Sequence, residues 1–304
     1  IEEVNLMKLF KTRKRASSRM VGSGVGVKRS VVTVFMIFLV AFTALPLIYI
    51  VNAAFKPLDE LFLFPPTFFV KHPTGKNFRD LVISLGSSTV PFLRYVFNSV
   101  FVSLCVVVGT VIISSTAAFA LSKLELPFKA FWFNLIISAL MFSNHVTTIP
   151  RYLVIESMGL YNSYTALILP QIAVAYNVFL MKQFLDQYPD QIMEAAHIDG
   201  AGDFLTFIKI VFPGQKPVVA TMVVLTFVSC WNDFFSPLVY TSSQTMKTLP
   251  LALQTISGGA GASSVSRAGA VSAASLLMIL PVIIIFTLMQ GKVMETMTQS
   301  GIKG

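Results

Sequence analysis

Six apolar runs divide this chain, at residues 31–51, 93–121, 128–150, 160–182, 217–240 and 268–290. A helix rises about 1.5 Å per residue, so about 20 apolar residues cross the ~30 Å hydrocarbon core of a bilayer. The pattern predicts an all-α polytopic membrane protein with six transmembrane helices and both termini on one side. Residues 54–92 hold prolines, charges and Gly-Ser pairs. They read as a loop outside the membrane, with a short amphipathic helix near 77–85. Residues 255–268, rich in Gly, Ala and Ser, read as a flexible outer loop. The first run resembles a signal peptide only faintly, through Val51-Asn52-Ala53. It is too long for an ordinary signal core, and more spans follow, so a retained helix is expected.

A polar insert, 186–214, separates the fourth and fifth runs and reads as two short helices around a glycine turn. Pro189 suits a first helical position, and Asp190 and Glu194 lie near the positive end of that helix. Ala195 and Ala196 favour helix and leave a small profile for close approach. Gly200 can take the positive φ that ends a helix sharply. Asp203 can cap the second helix. In that helix Phe204, Phe207, Ile208 and Val211 recur at i, i+3, i+4 and i+7 and predict one apolar face. Pro213 and Pro217 stop it before the next span. On these features alone the insert is either a docking surface or an amphipathic hairpin lying on the membrane.

Composition agrees with a membrane protein: 55% of the 304 residues are hydrophobic and 12% charged, about half the charge of a soluble domain. The organisation expected is a basic N-terminal tail, 1–28, and one membrane domain, 29–304. The net charge of +9 would suit nucleic acid, but its distribution argues for lipid. Lys8, Lys11, Arg13, Lys14, Arg15, Arg19, Lys28 and Arg29 crowd the tail directly before the first apolar run, as the positive-inside rule requires. With the six spans, fifteen Lys and Arg fall on the inner side and eight on the outer. Both termini and the insert are therefore expected in the cytoplasm. The tail carries this inference, because without it the two sides are nearly equal.

Small residues mark helix contacts in lipid. Gly109, Ser114, Ser115, Ala117 and Ala118 cluster on the second run, and Gly269, Ala270, Ala273 and Ala274 on the sixth. Cys105 and Cys230 lie in apolar runs and read as small buried hydrophobes.

Several chemistries find no support. In Gly22-Ser23-Gly24-Val25-Gly26-Val27-Lys28-Arg29-Ser30 the lysine is one place too late for a phosphate loop, and no strand precedes it. His72, His145 and His197 are scattered, with no metal-ligand spacing. No Gly-x-Ser-x-Gly elbow is present. Carriers coupled to ions usually hold charges deep in the bilayer, yet residues 31–51, 95–121, 160–181 and 268–290 hold none. Asp233, in Trp231-Asn232-Asp233-Phe234, is the interior exception. Either Trp231 anchors that segment at the interface beside a hydrated Asp233, or Asn232 and Asp233 belong to a substrate path. The chain has neither a nucleotide site nor an ion couple to drive transport.

The spacing Glu194-Ala195-Ala196, three residues, Gly200, nine residues, Ile210-Val211-Phe212-Pro213 resembles the EAA motif of permease subunits of ABC importers. The form Glu-Ala-Ala-His-Ile-Asp-Gly-Ala is similar to the carbohydrate branch, the maltose-type permeases. Phe212 departs from the family's usual leucine while keeping bulk and apolarity. Tyr95-Val96-Phe97-Asn98-Ser99, Ile149-Pro150, Gly159-Leu160-Tyr161-Asn162-Ser163, Trp231-Asn232-Asp233-Phe234 and Gly301-Ile302-Lys303-Gly304 extend the resemblance over roughly residues 30–304. It implies the type I ABC importer permease fold and a cytoplasmic coupling helix seated in an ATPase subunit. Glu194, Ala195, Ala196, Asp199, Gly200, Ala201 and Pro213 would form that coupling site. It also implies a second homologous permease subunit, two ATPase subunits that bind ATP and Mg, an extracytoplasmic solute-binding protein, and no cofactor or catalysis on this chain. The loop at 241–266 would reach the binding protein and the C-terminal tail the ATPases. The competing readings are a stand-alone secondary carrier or channel and a membrane-embedded enzyme.

Overall fold

A computed structural model describes residues 22–85, 90–257 and 267–301. Most of the basic tail, the centre of the Gly/Ala/Ser-rich stretch and residues 302–304 lie outside the described residues. All regular elements among the described residues are helical. Besides single turns at Leu58–Leu61 and Gln244–Met246, they are α1 (Gly22–Phe55), α2 (Lys76–Leu85), α3 (Phe92–Lys123), α4 (Lys129–Leu140), α5 (Asn144–Ser157), α6 (Tyr164–Ile172), α7 (Ala175–Leu185), α8 (Asp190–Ile198), α9 (Asp203–Gly214), α10 (Lys216–Trp231), α11 (Phe235–Tyr240), α12 (Leu249–Ser257) and α13 (Ala268–Gly301).

Among the described residues, four helices are long and apolar enough to cross a membrane: Arg29–Phe55, Phe92–Lys123, Tyr164–Leu185 and Ala268–Glu295. A fifth arises if α9 and α10, bent by 77° where they join, count together. The run at 128–150 is not one helix. It divides into α4 and α5 at Met141–Ser143, where Val146 and Thr147 donate their N–H groups to the Ser143 carbonyl and start a new helix (3.1 and 3.3 Å). The fourth run breaks at Ala173–Val174, just after Pro170, a residue that supplies no helical N–H. The amphipathic helix expected at 77–85 is α2. It buries Asn77, Leu81 and Leu85 against the start of α13.

The helix α3 runs through the centre, packed on α6, α7 and α10, while α13 packs on α10, α1 and α2. The small residues lie at these contacts. Ser114, Ser115 and Ala118 of α3 and Ala270, Ala273 and Ala274 of α13 are all buried. A Cβ on Gly109 would come within 2.7 Å of Ile172 Cδ1. One apolar cluster gathers Tyr95, Trp231 and Ala273 at one end of the bundle, and another gathers Phe119, Met181, Val218 and Met222 at the other. By contrast, no residue of α1 from 29 to 52 is buried within the chain. Such a face needs lipid or another subunit.

Candidate functional site

The polar insert folds as two short helices around a glycine turn. Pro189 takes an extended backbone (φ −60°, ψ 127°) and occupies the cap of α8, one place before the expected first helical position. Asp190 then stands in the first turn, where its charge faces unpaired N–H groups. The helix ends in a Schellman turn. Ala201 N–H donates to the Ala196 carbonyl (2.9 Å), and Gly200 N–H donates to that of His197 (3.0 Å). This closure requires a left-handed residue, and Gly200 has φ +84°.

Asp203 does not cap the second helix. Gly202 holds that position without a side-chain bond, and Asp203 Oδ1 reaches back to His197 Nε2 at 3.0 Å. The helix α9 contains a π turn from Phe207 to Val211, and this wider turn splits the expected apolar face. Phe207 and Val211 are buried, whereas Phe204 and Ile208 are exposed.

The same two-sidedness governs α8. Met193 and Ala196 are buried, Met193 in the cluster with Phe119, Met181 and Val211. Glu194, Ala195, Ile198, Asp199 and Gly200 are exposed, Ala201 is half-buried and Pro213 is exposed. One face of α8 is thus fixed to the bundle while the other is open. Polar ties reinforce the attachment. The Lys123 ammonium, at the end of α3, donates to the Tyr188 carbonyl and to Asp190 Oδ1, both at 2.6 Å. Asp186 accepts from Ser122 (2.6 Å) and Lys182 (2.7 Å). Burial pushes the Asp186 carboxyl up, but the bonds from Lys182 and Ser122 and the charges of Lys182 and Lys123 outweigh it. Its pKa therefore lies below the ordinary aspartate value.

A second polar site lies among the apolar helices, where two helix breaks adjoin. Gln171 Nε2 donates to Asp233 Oδ2 at 3.1 Å, linking the end of α6 to the segment between α10 and α11. Asp233 Oδ1 accepts from the N–H groups of Phe235 and Ser236 (2.9 and 3.0 Å), satisfying the first turn of α11. A cavity of about 160 Å³ opens beside this pair, lined by Gln171, Tyr176, Asn177, Thr226 and Ser229 among others. Asn232 is exposed, and its amide returns to the Val228 carbonyl at 2.9 Å. Trp231 is no interfacial anchor. It is 3% exposed, and its indole N–H donates to the Met278 carbonyl of α13 at 3.0 Å.

At the far end of the bundle, two asparagines hold the segment that follows α11. Asn98 donates to the carbonyls of Thr245 (2.9 Å) and Lys247 (2.8 Å), and accepts from the Tyr164 hydroxyl (2.7 Å). Asn162, at φ +59°, accepts from the N–H groups of Ser242 and Ser243 (3.1 and 3.0 Å). The sequence alone does not reveal either role. The available signal was an asparagine at the edge of an apolar run, a poor place for an amide without a partner.

The family described as binding-protein-dependent transport system inner membrane component matches residues 19–295. This chain belongs to that family. Among its relatives is the arabinooligosaccharides transport system permease protein AraQ of Halalkalibacterium halodurans, 29% identical over 90% of this chain and 95% of AraQ. The sulfoquinovosyl glycerol transport system permease protein SmoH of Agrobacterium fabrum is 31% identical over 85% of this chain and 88% of SmoH. The sn-glycerol-3-phosphate transport system permease protein UgpE of Pectobacterium atrosepticum is 33% identical, covering 76% of this chain and 82% of UgpE. In a crystal structure of a bacterial ABC transporter involved in the import of the acidic polysaccharide alginate, one chain superposes with a TM-score of 0.76. That match covers 89% of this chain and 98% of the other at 21% identity, so this transport component has the ABC importer permease fold.

Proposed function

We propose that this chain is the permease subunit of an ATP-driven, binding-protein-dependent importer for a carbohydrate or a related polyhydroxylated solute. In this reading residues 29–304 form the membrane domain and the tail and the insert are cytoplasmic. The helix α8 docks into a separate ATPase subunit through Glu194, Ala195, Asp199 and Gly200, while Ala196, Ala201 and Pro213 shape the hairpin. A homologous permease subunit completes the translocation path, two ATPases bind ATP and Mg, and an extracytoplasmic binding protein delivers the solute. Docking in trans would turn ATPase closure into rocking of the membrane helices.

The observation that carries this reading is the two-sided α8. Movement of its exposed face must move the bundle, because Met193 and the Lys123 ties join the other face to α3 and α10. The names of the relatives support the solute class. Within the membrane, the cavity beside Gln171 offers the amides of Gln171 and Asn177 and the hydroxyls of Thr226 and Ser229 next to the Tyr176 ring. Such a lining suits sugar hydroxyls and a sugar face, and Asp233, with Asn232 beside it, would act on the substrate path through its bond to Gln171. A stand-alone carrier gains no support from any observed group.

The test is cross-linking from an Ala195→Cys variant in the co-purified transporter, together with sugar-stimulated ATP hydrolysis in lipid. A bond from position 195 to the ATPase subunit is expected. A cross-link only to extracytoplasmic proteins, or solute uptake by the purified chain alone, would overturn the proposal.

A further inference from the structure

The 77° bend between α9 and α10 leaves a cleft that neither the coupling face nor the central polar cavity uses. It measures about 290 Å³, with a wall that includes Phe212, Val219, Val223 and Met289 and with Lys216 and Lys292 also lining it. The lysines share one end. Lys216 opens α10, one and two turns before Val219 and Val223. Lys292 lies one turn beyond Met289 on α13, which runs antiparallel to α10. Charge therefore sits at the end of the bundle that carries the insert, and the apolar wall extends about 10 Å deeper, at ~1.5 Å per residue. Leu280, Ile283, Ile284 and Leu288 of α13 are exposed as well, so an apolar surface continues beyond the cleft.

We infer that this cleft binds an anionic phospholipid of the leaflet on the insert side. The phosphate lies between Lys216 and Lys292, and the upper part of one acyl chain lies along Val219 and Val223. The charge arrangement selects this occupant. Two ammonium groups at the polar edge of a bilayer attract an anionic headgroup. They would not suit an apolar helix of another subunit, and an aqueous anion has no use for the deep apolar wall. Pro213 also lines the cleft, so the bound lipid would brace the corner at which the insert meets the membrane. The inference does not depend on the direction of transport or on the nature of the solute.

Native mass spectrometry of the transporter co-purified with its partner subunits tests it. The probes are phosphatidylglycerol and phosphatidylcholine with identical acyl chains. Phosphatidylglycerol should bind more tightly, and Lys216→Ala with Lys292→Ala should remove about thirtyfold of that preference, roughly fivefold for each charge. Lys71→Ala, in a loop at the other end of the bundle, should leave it unchanged. Val223→Trp should weaken both lipids by filling the slot. If that variant fails to assemble, the exposed lysine pair still decides the matter. Equal binding of the two lipids, or an unaltered preference in the double lysine variant, would overturn the inference. So would competition by millimolar inorganic phosphate as effective as that by lipid, which would mark a free-anion site. A photo-cross-link from position 223 to protein rather than lipid would also overturn it.

Discussion

Lys123 Nζ lies 2.6 Å from Asp190 Oδ1, across the junction between the central helix α3 and the first turn of α8. The two partners are unequal. The Lys123 side chain is 5% exposed and that of Asp190 is 74% exposed. An exposed carboxylate contributes little through such a pair. The buried ammonium depends more on its second bond, to the Tyr188 carbonyl.

Lys123→Met is accordingly expected to cost about 1–3 kcal/mol through the lost charged hydrogen bonds, and Asp190→Asn less than about 1 kcal/mol. Thermal unfolding of the detergent-solubilised chain checks the order. Equal costs would show that the exposed ion pair, and not the carbonyl bond, ties the insert to α3.

Gly200 has φ +84° with nothing within 4 Å of an added Cβ, so a substitution there is opposed by backbone strain and not by collision. Gly200→Ala should cost about 1–2 kcal/mol, and Gly200→Asn less, because asparagine tolerates the left-handed region. Thermal shift gives the ranking. On the proposed function, Gly200→Asp should also lower uptake at normal expression by disturbing the docking face.

Asp233 separates charge from capping. Asp233→Ala loses both first-turn bonds of α11 and should destabilise by about 1 kcal/mol. Asp233→Asn keeps an acceptor for Phe235 and Ser236, and its new Nδ2–H can donate to Gln171 once that amide turns over, so it should be nearly neutral in stability. If Asp233 acts on the substrate path, the asparagine variant will show normal unfolding with altered solute dependence of transport. Transport kinetics like those of the unmodified chain would remove Asp233 from the path.

Asp186 predicts a pH response. Its folded pKa lies below the ordinary value, so its bonds to Ser122 and Lys182 stabilise the fold at pH above about 4. As pH falls through the lowered folded value, the contribution disappears. Asp186→Asn should remove this step, making the unfolding midpoint of the variant less sensitive to acid than that of the unmodified chain. A parallel acid dependence would place the stabilising bonds elsewhere.

Much of the conformation of the insert is readable in the order of residues because it is local. Gly200 ends α8 for a reason contained in one residue's backbone freedom, and Glu194, Ala195 and Asp199 share an exposed face through helical spacing alone. Asp203 and the apolar face of α9 depart from the local expectation because side-chain pairing and helix pitch intervene. His197 captured Asp203, and the π turn rotated Phe204 and Ile208 outward. The run at 128–150 has the length of one helix, yet Ser143 and the residues after it divide it.

The sequence by itself determined the membrane class and the glycine turn of the insert. These follow from transfer energy and backbone sterics within a few residues. The tertiary structure alone decided that Gln171 meets Asp233, that Trp231 is buried on α13, and that Lys123 holds α8. Each pairing joins positions dozens of residues apart, and which helices adjoin depends on how small residues such as Gly109 and Ala273 let backbones approach. Chain order carries no such distances.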